Sequence, residues 1–180
     1  MVIYTKKGDK GETNLFSKNK NTVKVSKSSL KISTIGAIDE ANSFFGIVVS
    51  FSKDKKLNYI LKDIQKDLFR INSILAGANL RFSITRIRSM EKKIDELEGK
   101  LPVLKNFLLP GGSKITSLLH YSRTLVRKVE RNLVRLNEKD EIKPQILMYI
   151  NRLSDCVFIL ARQQNSKQGF SDEIWKLKDK

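Results

Sequence analysis

Arg123, Arg127 and Arg131 recur at four-residue intervals in His120-Tyr121-Ser122-Arg123-Thr124-Leu125-Val126-Arg127-Lys128-Val129-Glu130-Arg131. On a helix that spacing stacks three guanidiniums along one face. Each is a rigid fork of donors that matches phosphate or carboxylate geometry, and one charge-assisted contact of this kind contributes about 1.5–3 kcal/mol. The face suits an anion, and Glu130 stands beside Arg127 and Arg131 to hold one of them in place. A solvated basic face has the same pattern, so other segments must decide between the two. Farther along, Asn151, Arg152 and Asp155 lie three to four residues apart. They would complete a polar site facing this helix, or form an ordinary interhelical network.

Three more segments carry chemistry-bearing residues. In Thr5-Lys6-Lys7-Gly8-Asp9-Lys10-Gly11-Glu12-Thr13-Asn14 two glycines bracket an acid among lysines. Glycine permits positive φ and close backbone approach, so successive N–H groups can turn toward an anion, although Gly-Asp-Lys-Gly serves equally as a β-turn. The spacing is not that of a Walker A loop. In Gly36-Ala37-Ile38-Asp39-Glu40 the two acids suit the first turn of a helix through its dipole. Alternatively, Asp39 faces the arginine stripe and orients Arg123. The run Leu101-Pro102-Val103-Leu104-Lys105-Asn106-Phe107-Leu108-Leu109-Pro110-Gly111-Gly112-Ser113 is an apolar loop ending in a helix start, with Ser113 as N-cap. Loops that carry Phe and Leu tuck into the core or line an apolar ligand pocket.

These segments need helices to position them. With 180 residues the chain fits one domain, spanning 1–180, and its 40% hydrophobic and 30% charged residues exclude a disordered class. Residues 1–36 lack helical periodicity and read as an extended arm. From 37 onward apolar residues recur three and four apart, placing helices near 37–52, 55–78, 84–99, 113–137 and 144–166. Short connections between five amphipathic helices point to an all-α, five-helix antiparallel bundle over 37–166. In the last helix Ile146, Ile150, Leu153, Val157 and Leu160 form the core face, and Arg152, Asp155 and Arg162 interrupt the other. The tail, 167–180, carries Phe170, Ile174 and Trp175 and either docks back or frays.

The 35 basic residues against 19 acidic give a net charge of +16, a field that attracts polyanions. Cys156 is the only cysteine and His120 the only histidine, so neither a disulfide nor a Cys/His zinc site can form within one chain. The amino terminus carries charge where a signal peptide needs an apolar run. The longest uncharged stretch, 41–52, has 12 residues against the roughly 20 a membrane helix needs. A cytoplasmic protein is expected, without membrane partners.

Taken together in order and spacing, Tyr4 to Gly11, Gly36 to Ser43, Phe107 to Gly112, Arg123 to Arg131 and Asn151-Arg152-Leu153-Ser154-Asp155 resemble the PduO-type ATP:cob(I)alamin adenosyltransferase family. The resemblance implies a homotrimer with ATP and corrinoid meeting between subunits. It also implies transfer of the 5′-deoxyadenosyl group of ATP to Co(I), with triphosphate released and adenosylcobalamin formed. Cobalt is then the nucleophile, which suits a chain with so few protein nucleophiles.

By the same resemblance Thr5, Lys6, Gly8, Asp9, Gly11 and Thr13, followed by Lys24 and Lys27, wrap ATP. Arg127, Glu130, Arg131 and Asn151 bind it from two helices. Arg123 and Asp39 form an interface salt bridge on the corrinoid side, and Phe107 displaces the lower axial ligand. Mg²⁺ accompanies ATP, its protein ligands unassigned, and a corrinoid reductase or a cobalamin-dependent acceptor enzyme is a candidate partner. Lys7, Glu12, Ser17-Lys18 and Lys128 depart from the family pattern. Glu12 would repel a triphosphate unless it points away or meets Mg²⁺, and Lys128 lacks the bidentate fork of arginine. The charge also fits a basic helical nucleic-acid-binding protein, but the basic stretches lack interleaved aromatics and no nucleic-acid partner is expected. A non-catalytic scaffold with a basic docking face is the other alternative.

Overall fold

The computed structural model describes residues 3–4, 6–16 and 22–176; Thr5 and the Ser17-Lys18 departure lie outside the described residues. Five helices account for most of them: α1 Leu30–Phe51, α2 Lys55–Leu75, α3 Ile84–Glu98, α4 Lys114–Asn137 and α5 Pro144–Lys167. The arm is not merely extended. Glu12–Phe16 (β1) and Thr22–Ser26 (β2) pair antiparallel, in register from Glu12 opposite Ser26 to Phe16 opposite Thr22. The fold is therefore five helices with a small hairpin.

Helix starts follow local chemistry. Ser113 caps α4 as its sequence predicts, its Oγ accepting from Thr116 N at 3.2 Å. Pro144 opens α5, where its missing N–H costs nothing. Asp54 caps α2 through Lys56 N at 2.9 Å and Leu57 N at 3.1 Å. The first helix begins seven residues earlier than the periodicity indicates, so 30–36 belong to it and not to the arm. Ser29 is the cap, accepting from Ile32 N, and the hydroxyl of Thr34 bonds back to Leu30 O at 2.7 Å. Ser33, Thr34 and Gly36 weaken the apolar signal there without preventing the helix.

Helix packing joins α1 to α2 and α4, α4 to α5, and α5 to α3. Ile38, Phe45, Leu68, Leu119, Leu133, Ile150 and Leu160 are among the fully buried core side chains. By length and composition α1 could cross a membrane, with a hydropathy of 1.2 over its most apolar window. The charges that bound the 41–52 run had understated that length. In this fold Ala37, Ala41, Phe45 and Val48 turn one face of it into the core.

One polar network threads the core where α2, α3 and α5 meet. Arg86 grips both oxygens of Asp67 at 2.8–3.0 Å, and Tyr149 donates to the same carboxylate at 2.8 Å. Burial and the Asp67 charge hold the Tyr149 phenol protonated, well above its usual pKa.

Candidate functional site

The arginine stripe lies on α4 between α1 and α5. Arg127 and Arg131 are exposed, while Arg123 is half-buried and its Nε finds no acceptor. Burial, and then the neighbouring Arg127 charge, lower the Arg123 pKa, which marks a cation in need of an anion. On the facing turn of α5, Asn151 donates to Glu130 at 2.8 Å and accepts from Arg152 at 2.7 Å; Arg152 in turn holds Glu91 of α3 at 3.1 Å. Glu130 thus fixes Asn151 and not one of the arginines, the role its position beside them suggests. Asp155 shares this surface, its pKa raised by burial, pulled down by Arg152, raised by Glu130 and lowered by Arg127.

The arm builds a second cluster. A cleft of about 740 Å³ is lined by Lys6, Lys7, Gly8, Asp9, Lys10, Glu12, Thr13, Asn14, Lys24 and Lys27. Lys6 sits at φ 57°, a conformation unusual for a side-chain-bearing residue, and Gly11 at φ 78° closes the turn into β1. Lys27 reaches across to donate to Gly8 O at 2.8 Å, holding the loop against β2. Glu12 is met by Lys24 across the hairpin at 3.3 Å. That pairing partly offsets the negative charge of Glu12 in the cleft.

The apolar loop forms the third part. Phe107 carries its ring into solvent, 83% exposed, so the loop neither tucks it into the core nor covers it. What holds this loop is the C-terminal tail. Leu108 and Ile174 form an antiparallel bridge, Leu109 N donates to Glu173 O at 2.8 Å, and Trp175 N donates to Phe107 O at 2.8 Å. Beneath them Arg162 is only 4% exposed, although the α5 stripe assigns it to the polar side. Its Nε donates to Asp172 at 2.8 Å and its Nη2 to Pro102 O at 2.8 Å. Asn165 accepts from Ser113 N at 3.2 Å and donates to Gly111 O and Asp172. Gly112, at φ 107°, passes so close that a Cβ there would overlap the Asn165 amide. Sequence reading missed Arg162, Asn165 and Asp172; the one available signal was an arginine set directly after Leu160-Ala161 in an apolar run.

Asp39 does not orient Arg123 within one chain. It is exposed and forms no ion pair among the described residues. Its neighbour Glu40 instead meets Lys128 at 2.6 Å, so the lysine that departs from the arginine run ties α4 to α1. Arg127, Glu130, Arg131 and Asn151 come together on one surface, and the arm residues gather in another cluster. Among the described residues the extensive contacts of each hairpin strand are with the other strand.

A helical protein with a half-buried arginine whose Nε is unmet, a basic glycine-turned cleft and a braced apolar loop carries groups suited to an anion and to an apolar ligand. The pattern of the cobalamin adenosyltransferase family matches residues 3–164. A corrinoid adenosyltransferase of Bacillus subtilis is 39% identical over 180 aligned residues, covering 96% of this chain and 91% of that protein. The PduO corrinoid adenosyltransferase of Citrobacter freundii is 34% identical, and this chain spans 55% of its length. Among solved structures, a variant PduO-type ATP:corrinoid adenosyltransferase from Lactobacillus reuteri, complexed with cobalamin and ATP, superposes with a TM-score of 0.90 at 32% identity, covering 97% of each chain. The chain belongs to the cobalamin adenosyltransferase family.

Proposed function

We propose that this chain transfers the 5′-deoxyadenosyl group of MgATP to the Co(I) of a reduced corrinoid. The cobalt electron pair attacks C5′, the C5′–O bond breaks with its electrons leaving on triphosphate, and cobalt passes from Co(I) to Co(III). The protein binds, aligns and neutralises; it supplies no covalent nucleophile. Magnesium enters with ATP as part of the substrate.

Arg127, Arg131 and Asn151, with Glu130 fixing Asn151, take the triphosphate from the helical side. Lys6, Gly8, Asp9, Gly11, Thr13, Lys24 and Lys27 wrap it from the arm, together with Thr5. Arg123 pairs with Asp39 of a second copy, and Phe107 takes the lower face of the corrin in place of its axial ligand, which makes Co(II) easier to reduce. The assembly is a homotrimer of antiparallel bundles in the cytosol, fed by a corrinoid reductase or delivering to a cobalamin-dependent enzyme. Two features support sharing between chains: among the described residues the hairpin strands make their extensive contacts with each other, and neither the Arg123 Nε nor the Asp39 carboxylate meets a partner there.

The observation that carries the reading is the half-buried Arg123, its Nε unmet, one turn before the exposed Arg127. The test is anaerobic mixing of the protein with MgATP and chemically reduced cobalamin. Conversion of the Co(I) spectrum to that of alkyl-Co(III), with one triphosphate per corrinoid, is the expected result. No conversion, together with tight nucleic-acid binding of steep salt dependence, would overturn it.

A further inference from the structure

We propose that the 172–175 segment is a positioning strand that sets the place of Phe107, locked in register by the Arg162–Asp172 pair; this rests on the axial role given to Phe107 above. A ring 83% exposed cannot be placed by packing, so its position follows from the backbone that carries it. That backbone is braced three times from one direction. Arg162 holds Pro102 O at its start, Asn165 holds Gly111 O and Ser113 N at its end, and the tail strand holds Phe107 O and Leu109 N between them. All three braces return to the last turns of α5, two directly and the third through Asp172.

The middle brace is the informative one. Trp175 N–H bonds to the carbonyl of Phe107 itself, and Ile174, one residue before, bridges Leu108. Arg162 is a buried guanidinium with both acceptors provided, so Asp172 is fixed relative to the core and the strand cannot slide without stranding that charge. Loop and tail therefore shift as one body, and the register of the bridged 172–175 segment governs where an aromatic ring meets a corrin. Asp172, Arg162 and the Trp175 amide are positioning groups acting through Phe107.

The test removes one backbone donor. Trp175→Pro deletes the N–H while Trp175→Ala keeps it, and the residue before a proline favours the extended conformation that a β-bridge such as that of Ile174 uses. Turnover is measured from Co(II) cobalamin under a weak reductant and again from pre-reduced Co(I). ATP affinity and melting temperature are followed alongside, and each Trp175 change is made with Phe107 intact and in a Phe107→Ala background. Trp175→Pro should slow the Co(II)-start rate by about three- to tenfold, the shift carried by one net hydrogen bond. The Co(I)-start rate, ATP affinity and melting should hold, Trp175→Ala should match the parent, and the proline should add nothing once Phe107 is alanine. Asp172→Asn should reproduce the loss in the same order. Equal effects in both Phe107 backgrounds, no effect of the proline, or equal damage from alanine would overturn the inference alone. A Phe107→Ala protein with normal Co(II)-start turnover would overturn the axial reading and this inference with it.

Discussion

Asp54 offers the sharpest stability test, because four donors converge on one carboxylate that joins the start of α2 to the end of α5. Oδ1 accepts from Lys56 N and Leu57 N; Oδ2 accepts from Gln164 at 3.0 Å and Lys167 at 2.7 Å. Losing the cap costs about 1 kcal/mol. The Lys167 pair is partly exposed and contributes at most about 1 kcal/mol. Gln164 is 3% exposed, and an amide stranded there costs about 1–3 kcal/mol. Asp54→Ala should therefore destabilise by about 3–4 kcal/mol, lowering the melting midpoint by about 6–16 °C in a chain of this size. Asp54→Asn keeps a good cap and should lose only about 1–2 kcal/mol. Burial alone would raise the Asp54 pKa, but the bonds from Lys167, Gln164 and Leu57 N–H outweigh it and hold the carboxyl well below its usual range. A depressed folded pKa gives stability that is complete at neutral pH and drains away below the unfolded value near 4. The parent's advantage over Asp54→Asn should accordingly be full at pH 7 and shrink below about pH 4. Calorimetric or circular-dichroism melts decide the matter. An Asp54→Ala midpoint within about 1 °C of the parent, or an advantage that grows on acidification, would refute the reasoning.

Other perturbations separate the two ligands. Arg127→Ala should weaken ATP binding by about 10- to 100-fold in titration calorimetry, one charge-assisted contact being lost; unchanged affinity removes Arg127 from the site. Asp39→Asn should lower the stability of the proposed trimer in sedimentation, and corrinoid handling more than ATP affinity; the opposite order means the two sides of the site are interchanged. Gly112→Ala should cost about 1–3 kcal/mol through positive φ and collision with Asn165, read as a lower melting midpoint; a neutral result would show that the loop relaxes freely.

The helices were legible wherever a cap or breaker coincided with the onset of apolar periodicity, as at Ser113 and Pro144. The start of α1 was not, because Ser33, Thr34 and Gly36 dilute the pattern and only the Ser29 cap marks it. The hairpin left a faint trace in alternating Val23 and Val25, too short to distinguish a strand from an extended arm. That Arg127 and Asn151 lie on facing helices was legible because both sit in strongly periodic segments. Arg162 could not, since a buried charge reveals itself only through its acceptors, here a carbonyl 60 residues upstream and a carboxylate in the tail. The Asp39–Arg123 pairing expected from the sequence is absent among the described residues of one chain and is proposed between two copies; a contact between copies leaves no spacing signal in a single sequence.

A hairpin whose extensive contacts among the described residues are between its own two strands has a genetic consequence if the site is shared between copies. In an assembly where each site draws its arm from one chain and its helical surface from another, two individually inactive proteins, one lacking the arm lysines and one lacking Arg127, can rebuild an intact site when they assemble together. Mixed assemblies of defective copies would then recover part of the activity, whereas either defective copy would also poison sites to which its sound neighbours contribute.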